Sequence, residues 1–119
     1  MMQRLDDYTE RLRVRIFSDE MVSQYYNTLK AFDDGERERV EIHTAEYPGH
    51  RWGLGYSITF ADGRSSFLPP SLAQGYFRSE KDAVFYMLKY LLSFPGYFSE
   101  NAVREFKRLL MLRSQSELF

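Results

Sequence analysis

The sequence predicts an α+β domain, a three- to four-stranded antiparallel meander with helices packed on one face and a C-terminal helix. Three observations carry that prediction. Residues 37–43 and 55–68 alternate with a period of two, residues 79–94 and 99–112 repeat their apolar positions at helical spacing, and the breaks between them are short turns. The turn signals are Asp33-Asp34-Gly35, Tyr47-Pro48-Gly49, Asp62-Gly63, Pro69-Pro70 and Pro95-Gly96, which suit turns inside one domain spanning 1–119.

Residues 5–17 fit two patterns. Leu5, Tyr8, Leu12 and Ile16 have helical spacing, whereas Arg11-Leu12-Arg13-Val14-Arg15-Ile16 alternates and would place three arginines on one strand face. The strand is preferred for 11–17. Ser18 then caps a helix over 19–33, with Asp19 and Glu20 at its positive end and Val22, Tyr25, Tyr26, Leu29 and Phe32 as its stripe. From Arg37 the period becomes two, so Val40 and Ile42 point inward while Arg37, Arg39, Glu41 and His43 point to solvent.

Gly55–Ala61 and Arg64–Leu68 form a hairpin across Asp62-Gly63, a dipeptide that accepts the positive φ of a tight turn. A two-residue turn there sets Ile58 opposite Phe67, Thr59 opposite Ser66 and Phe60 opposite Ser65. Pro69-Pro70 ends the third strand, because neither proline donates to a ladder, and Ser71–Gly75 is a loop. Ser79 caps the next helix, whose Ala83, Phe85, Tyr86, Leu88, Tyr90 and Leu91 predict burial on two sides until Phe94-Pro95-Gly96 stops it. Ser99 starts the last helix, where Ala102, Val103, Phe106, Leu109, Leu110 and Leu112 form a wide apolar arc.

Composition narrows the function classes. The 119 residues carry 16 Lys+Arg against 17 Asp+Glu, no Cys, and aromatics at 17%. Thiolate metal sites, disulfides and thiol nucleophiles are excluded, and a cytoplasmic location is expected. No segment approaches the roughly 18 apolar residues of a membrane helix, and Met1-Met2-Gln3-Arg4-Leu5-Asp6-Asp7 lacks the apolar stretch of a signal peptide. His43, Glu46 and His50 straddle Pro48-Gly49 without the helical spacing of a zinc motif, no Gly-x-Ser-x-Gly elbow exposes a serine, and Gly53-Leu54-Gly55 precedes a strand, where it marks a bulge or a close backbone approach. No cofactor is expected, and no enzymatic activity.

The stretch Tyr47-Pro48-Gly49-His50-Arg51-Trp52-Gly53, followed by Tyr56 and Ile58 and then Gly75-Tyr76-Phe77-Arg78-Ser79 with Asp82 and Ala83, resembles the ethylene-response-factor type of DNA-binding domain and the arm-binding domains of phage integrases. That resemblance implies a three-stranded sheet laid in the major groove and backed by one helix. With Gly75, Ser79, Lys81 and Ala83 the same order also resembles double-stranded-RNA-binding domains. The chain departs from the first by the Leu68–Gln74 segment and from the second by Glu80, Asp82 and Val84 at its helix start, so the motif assigns neither.

Two binding surfaces are expected. The first is a self-association face of Phe106, Leu109, Leu110 and Leu112, continued by Leu118-Phe119, which makes the chain a small non-catalytic binding or adaptor domain that forms a homo-oligomer or meets a protein partner. The alternative is a nucleic-acid face built from Arg11, Arg13, Arg15, Arg37, Arg39, Arg51 and Arg64, since a local basic face binds phosphate despite a neutral total. Such a face predicts salt-dependent retention on heparin, weakened by removing Arg13, Arg15 or Arg39. Passage through heparin at low salt without delay rejects it.

Overall fold

A computed structural model describes residues 26–72 and 75–117, with side chains as far as Arg113. The readings for 5–25, for Gln74 and for Leu118-Phe119 lie outside the described residues. Four strands, β1 (Asn27–Asp33), β2 (Arg39–Tyr47), β3 (Arg51–Thr59) and β4 (Ser65–Ser71), form an antiparallel sheet in the order β1-β2-β3-β4. Two helices follow, α1 (Glu80–Leu92) and α2 (Glu100–Glu117), joined through a 3-10 turn over Pro95–Tyr97. The α+β meander is therefore as the sequence predicts. Among the described residues no helix is long and apolar enough to cross a membrane.

The helix predicted to run to residue 33 is instead β1 from Asn27 onward, and a bulge explains the error. Leu29 sits opposite Ile42 and Phe32 opposite Val40, with an irregularity between Lys30 and Phe32 that leaves Ala31 as an extra residue. A bulge shifts the side-chain alternation by one, so Leu29 and Phe32, three apart, reach the same sheet face. Their spacing imitates a helix stripe.

The β3–β4 hairpin also differs from its prediction. Phe60 N–H donates to the Arg64 carbonyl at 2.8 Å and Gly63 N–H to the Phe60 carbonyl at 2.9 Å, closing a three-residue loop of Ala61, Asp62 and Gly63. Gly63 takes φ 93° and Asp62 Oδ1 accepts the Arg64 N–H at 3.0 Å. The register slips by one relative to the two-residue turn, so Ser57 faces Phe67, Ile58 faces Ser66 and Thr59 faces Ser65. Phe67 is thereby turned to the outer face, away from the helices.

Pro69 and Pro70 do not end β4; it continues to Ser71 because an edge strand tolerates residues that donate nothing outward. They lie in an irregular stretch between Leu68, opposite Tyr56, and Ser71, opposite Leu54. Gly55 faces that stretch, and a Cβ built on it would lie 2.2 Å from the Leu68 carbonyl oxygen. The close backbone approach predicted at Gly53 and Gly55 is found at both, since a Cβ on Gly53 would lie 2.8 Å from the Ser71 oxygen.

The core forms between the inner sheet face and the helices, from Val40, Ile42, Leu54 and Ile58 against Val84, Met87, Leu88 and Phe106. Ser79 caps α1 as predicted, its side chain accepting the Asp82 N–H at 3.1 Å. Burial follows one broad stripe rather than two sides, because Tyr86 and Tyr90 are exposed. Glu80 ties the start of α1 to the sheet, accepting from Asn27 Nδ2 and Thr44 Oγ1 at 2.7 Å each. On the outer face a smaller cluster of Ala45, Tyr47 and Leu72 packs with Tyr76, and the Tyr47 hydroxyl donates to the Pro70 carbonyl at 2.7 Å.

The start of α2 is held from a distance. Asp34 Oδ1 accepts the N–H groups of Glu36, Arg37 and Glu38, a turn that directs Glu38 inward until it is only 2% exposed. Its carboxylate accepts the Ser99 N–H at 3.0 Å and the Ser99 hydroxyl, while Ser99 Oγ accepts the Ala102 N–H at 3.1 Å. Glu38 thus places an anion at the positive end of an 18-residue helix. Replacing Glu38 by Ala leaves those donors unmatched and is expected to cost about 2 kcal/mol in urea unfolding. Gly55→Ala pushes a side chain into β4 backbone and is expected to cost about 3 kcal/mol.

Candidate functional site

One corner of the inner sheet face forms a groove. The helices lie over β1 to β3, and beside α1 the inner surface of β3 and β4 borders a groove of about 270 Å³. Ile58, Met87 and Leu91 line its apolar floor. Tyr56, Ser66, Tyr90, Phe94 and Tyr97 surround it, and none of its ten lining residues carries a charge.

The rings arrive there by simple local rules. Tyr86 and Tyr90, one helical turn apart on α1, stack with centroids 6.5 Å apart. Ser93 then caps the helix, its N–H donating to the Lys89 and Tyr90 carbonyls, and Pro95 opens a 3-10 turn in place of more α-helix. The turn carries the row onward, with Tyr90–Phe94 at 5.2 Å, Phe94–Tyr97 at 6.0 Å and Tyr97–Phe60 at 6.3 Å. Phe98 anchors it by stacking on Phe60 at 5.8 Å and meeting Phe106 edge-on at 5.2 Å. The outer members stay open to solvent, Tyr90 at 47%, Phe94 at 43% and Tyr97 at 59%.

The residues predicted for self-association divide. Phe106 belongs to the core and is fully buried, which corrects its assignment to a surface; it points at Phe98. Leu109 and Leu110 are partly buried against the same core, whereas Leu112 and its neighbour Met111 are exposed. The arc is wide because two thirds of it faces the sheet and α1.

Of the arginines, Arg11, Arg13 and Arg15 lie outside the described residues. Arg37 stands in the turn before β2 rather than in the strand, and Arg39 is exposed with Nε 3.4 Å from Asp33 Oδ2. Arg64 pairs with Asp62 at 2.7 Å and lies over the Phe60 ring. Arg51 is at the opposite end of the β2–β3 hairpin, opposite Tyr47, where its Nε donates to the Pro48 carbonyl. Arg37, Arg39 and Arg64 therefore share one end of the sheet with Asp33, Glu36 and Asp62, and Arg51 does not join them.

His43 is not the solvent-facing strand residue that alternation predicts. It is 3% exposed on the outer face, under the Tyr26 ring at 4.8 Å and beside Phe67 at 6.1 Å. Nδ1 lies 3.0 Å from Thr28 Oγ1 and Nε2 lies 2.7 Å from Ser57 Oγ, so a neutral ring donates once and accepts once. The Ser57 contact has the length of a nucleophile–base pair, but a neutral threonine hydroxyl stands where a carboxylate would stabilise an imidazolium. His50 pairs instead with Glu46, Nδ1 to Oε2 at 3.7 Å, in the β2–β3 turn.

Sequence reasoning missed the groove and Glu38. A signal for Glu38 existed, because Ser99 starts a helix with Ala102 where a capping box needs Glu or Gln, leaving a place for an acid from elsewhere. The groove's signal was the run of aromatics continuing beyond Leu92 through Phe94, Tyr97 and Phe98, more rings than one helix stripe can bury.

Burial lowers the His43 pKa, opposed by the Glu41 carboxylate. The folded state then binds fewer protons than the unfolded chain, so this contribution is full above about pH 6.5 and is lost as pH falls below it. The urea midpoint is expected to fall between pH 7 and pH 5, with a smaller fall in His43→Gln; equal slopes reject the assignment. Comparison with known proteins gives no match, whether to a family model, a curated protein or a solved structure, and the four-stranded sheet with two helices departs from the three-stranded, one-helix arrangement that the first resemblance implies.

Proposed function

We propose that this chain is a small non-catalytic binding domain whose binding surface is the aromatic groove. The observation that carries the reading is the exposure of Tyr90, Phe94 and Tyr97 along an uncharged apolar groove, where each ring keeps contact with the next but leaves much of its face in water. Covering such rings releases water from apolar surface, so a ligand gains from the site without any catalytic group. The His43–Ser57 contact fits a structural role, since burial holds the ring neutral and both nitrogens have hydroxyl partners.

Self-association through the end of α2 is a second reading, favoured by Met111 at 62% and Leu112 at 48% exposure. The two readings predict different surfaces. Titrating the protein with N-acetyltryptophanamide and following its NMR spectrum is expected to give saturable shifts at Tyr90, Phe94 and Tyr97, with affinity reduced about tenfold in Tyr97→Ala. Shifts absent from the groove, together with concentration-dependent light scattering abolished by Met111→Glu, would favour the α2 interface instead.

A further inference from the structure

We infer that the groove takes an uncharged, proline-rich segment in the polyproline II conformation, an inference that rests on reading the groove as the binding surface. The first support is charge. Each lining residue is neutral, so a partner gains nothing there from ionised groups and loses the hydration of any charge it brings. Nucleic-acid bases also stack on aromatic rows, but the phosphates that accompany them need cations, and Arg64 beside the groove is already paired with Asp62.

The second support is the row of hydroxyls. Among the described residues the Tyr90 and Tyr97 hydroxyls make no hydrogen bond, although both rings stand at the groove. A docked helix has already spent its backbone carbonyls internally, so it leaves these donors unmatched except through side chains. A polyproline II chain has no internal hydrogen bonds and presents its carbonyls outward, and tyrosine hydroxyls meet that need.

The third support is spacing. A polyproline II helix repeats every three residues, about 9 Å along its axis. The contacts Tyr90–Phe94 and Phe94–Tyr97, at 5.2 and 6.0 Å, keep the two outer rings within about 11 Å of each other, so a single repeat can reach both. Pyrrolidine rings one repeat apart, which share a face of the helix, can therefore rest against different rings of the row. Strand addition at the β4 edge is disfavoured, since Pro69 and Pro70 have no N–H to donate.

The test is an NMR titration of the whole chain with N-acetylated, C-amidated decaproline, run beside a thymidylate decamer. Decaproline is expected to shift Tyr90, Phe94, Tyr97 and Ser66 saturably. Phe94→Ala should weaken binding about tenfold. Tyr97→Phe keeps the ring and loses only the hydroxyl, and should weaken it about threefold. Phe67→Ala, on the outer face, should bind as the parent does, and thermal melts of each variant report that the fold is kept. If N-acetyltryptophanamide binds the groove and decaproline does not, the inference is overturned while the binding reading stands; if neither binds, both fall. Preference for the thymidylate decamer, or full affinity in Tyr97→Phe and Phe94→Ala, also overturns it.

Discussion

The carboxylate of Glu38 holds the fold's most consequential contact. It reaches from the β1–β2 turn to the first residue before α2, a separation of 61 positions, and accepts both the backbone N–H and the hydroxyl of Ser99. Phe98 is the preceding residue, stacked on Phe60 and set edge-on to Phe106. With Ser99 fixed at one end and Ser93 capping α1 at the other, the segment between them has few paths, and the 3-10 turn at Pro95 is the one it takes. The aromatic row is thus positioned by a hydrogen-bonded anion next to its Phe98 end, supplied by a distant part of the sequence. Asp34 extends the chain of cause by one step, since its three backbone hydrogen bonds shape the turn that points Glu38 inward.

The parts of this architecture that were legible in the sequence are those decided by local chemistry. Ser79 and Ser99 announce two helices because a serine hydroxyl satisfies an N–H that the helix cannot, and Val40 and Ile42 announce a strand because alternation places both on one face. The misread parts depend on a single residue's change of phase. Ala31, as the extra residue of a bulge, turned a strand into an apparent helix stripe, and Ala61, joining Asp62 and Gly63 in the loop, moved the hairpin register by one. Periodicity reports a side chain's face only while the backbone stays regular. His43 was misread for a different reason, because its neighbours Tyr26 and Thr28 reach it from another strand region and alternation alone carries no information about what lies above a face.

The aromatics and the arginines resolve differently. Aromatics divide between a packed set, such as Phe77 and Phe106, and an exposed set ending in Tyr97, so the same residue type serves cohesion on one side of the row and a surface on the other. Three of the arginines in the described residues stand beside acids, Arg39 with Asp33, Arg64 with Asp62 and Arg108 with Glu105. Exposed pairs of this kind add little stability, but they reduce the local field that would draw phosphate.

The contact from the Tyr47 hydroxyl to the Pro70 carbonyl has a dynamic meaning. Tyr47 lies across Gly53, whose missing side chain leaves room for the ring, so β2 grips β4 over the top of β3. An edge strand ordinarily peels from either end. Here both ends are fastened, the Ser71 end by Tyr47 and the Ser65 end by the three-residue loop that joins it to β3, so β4 has no free end from which to peel. Amide exchange in β4 should therefore be held back at both ends of the strand, in contrast to an edge strand that frays from one.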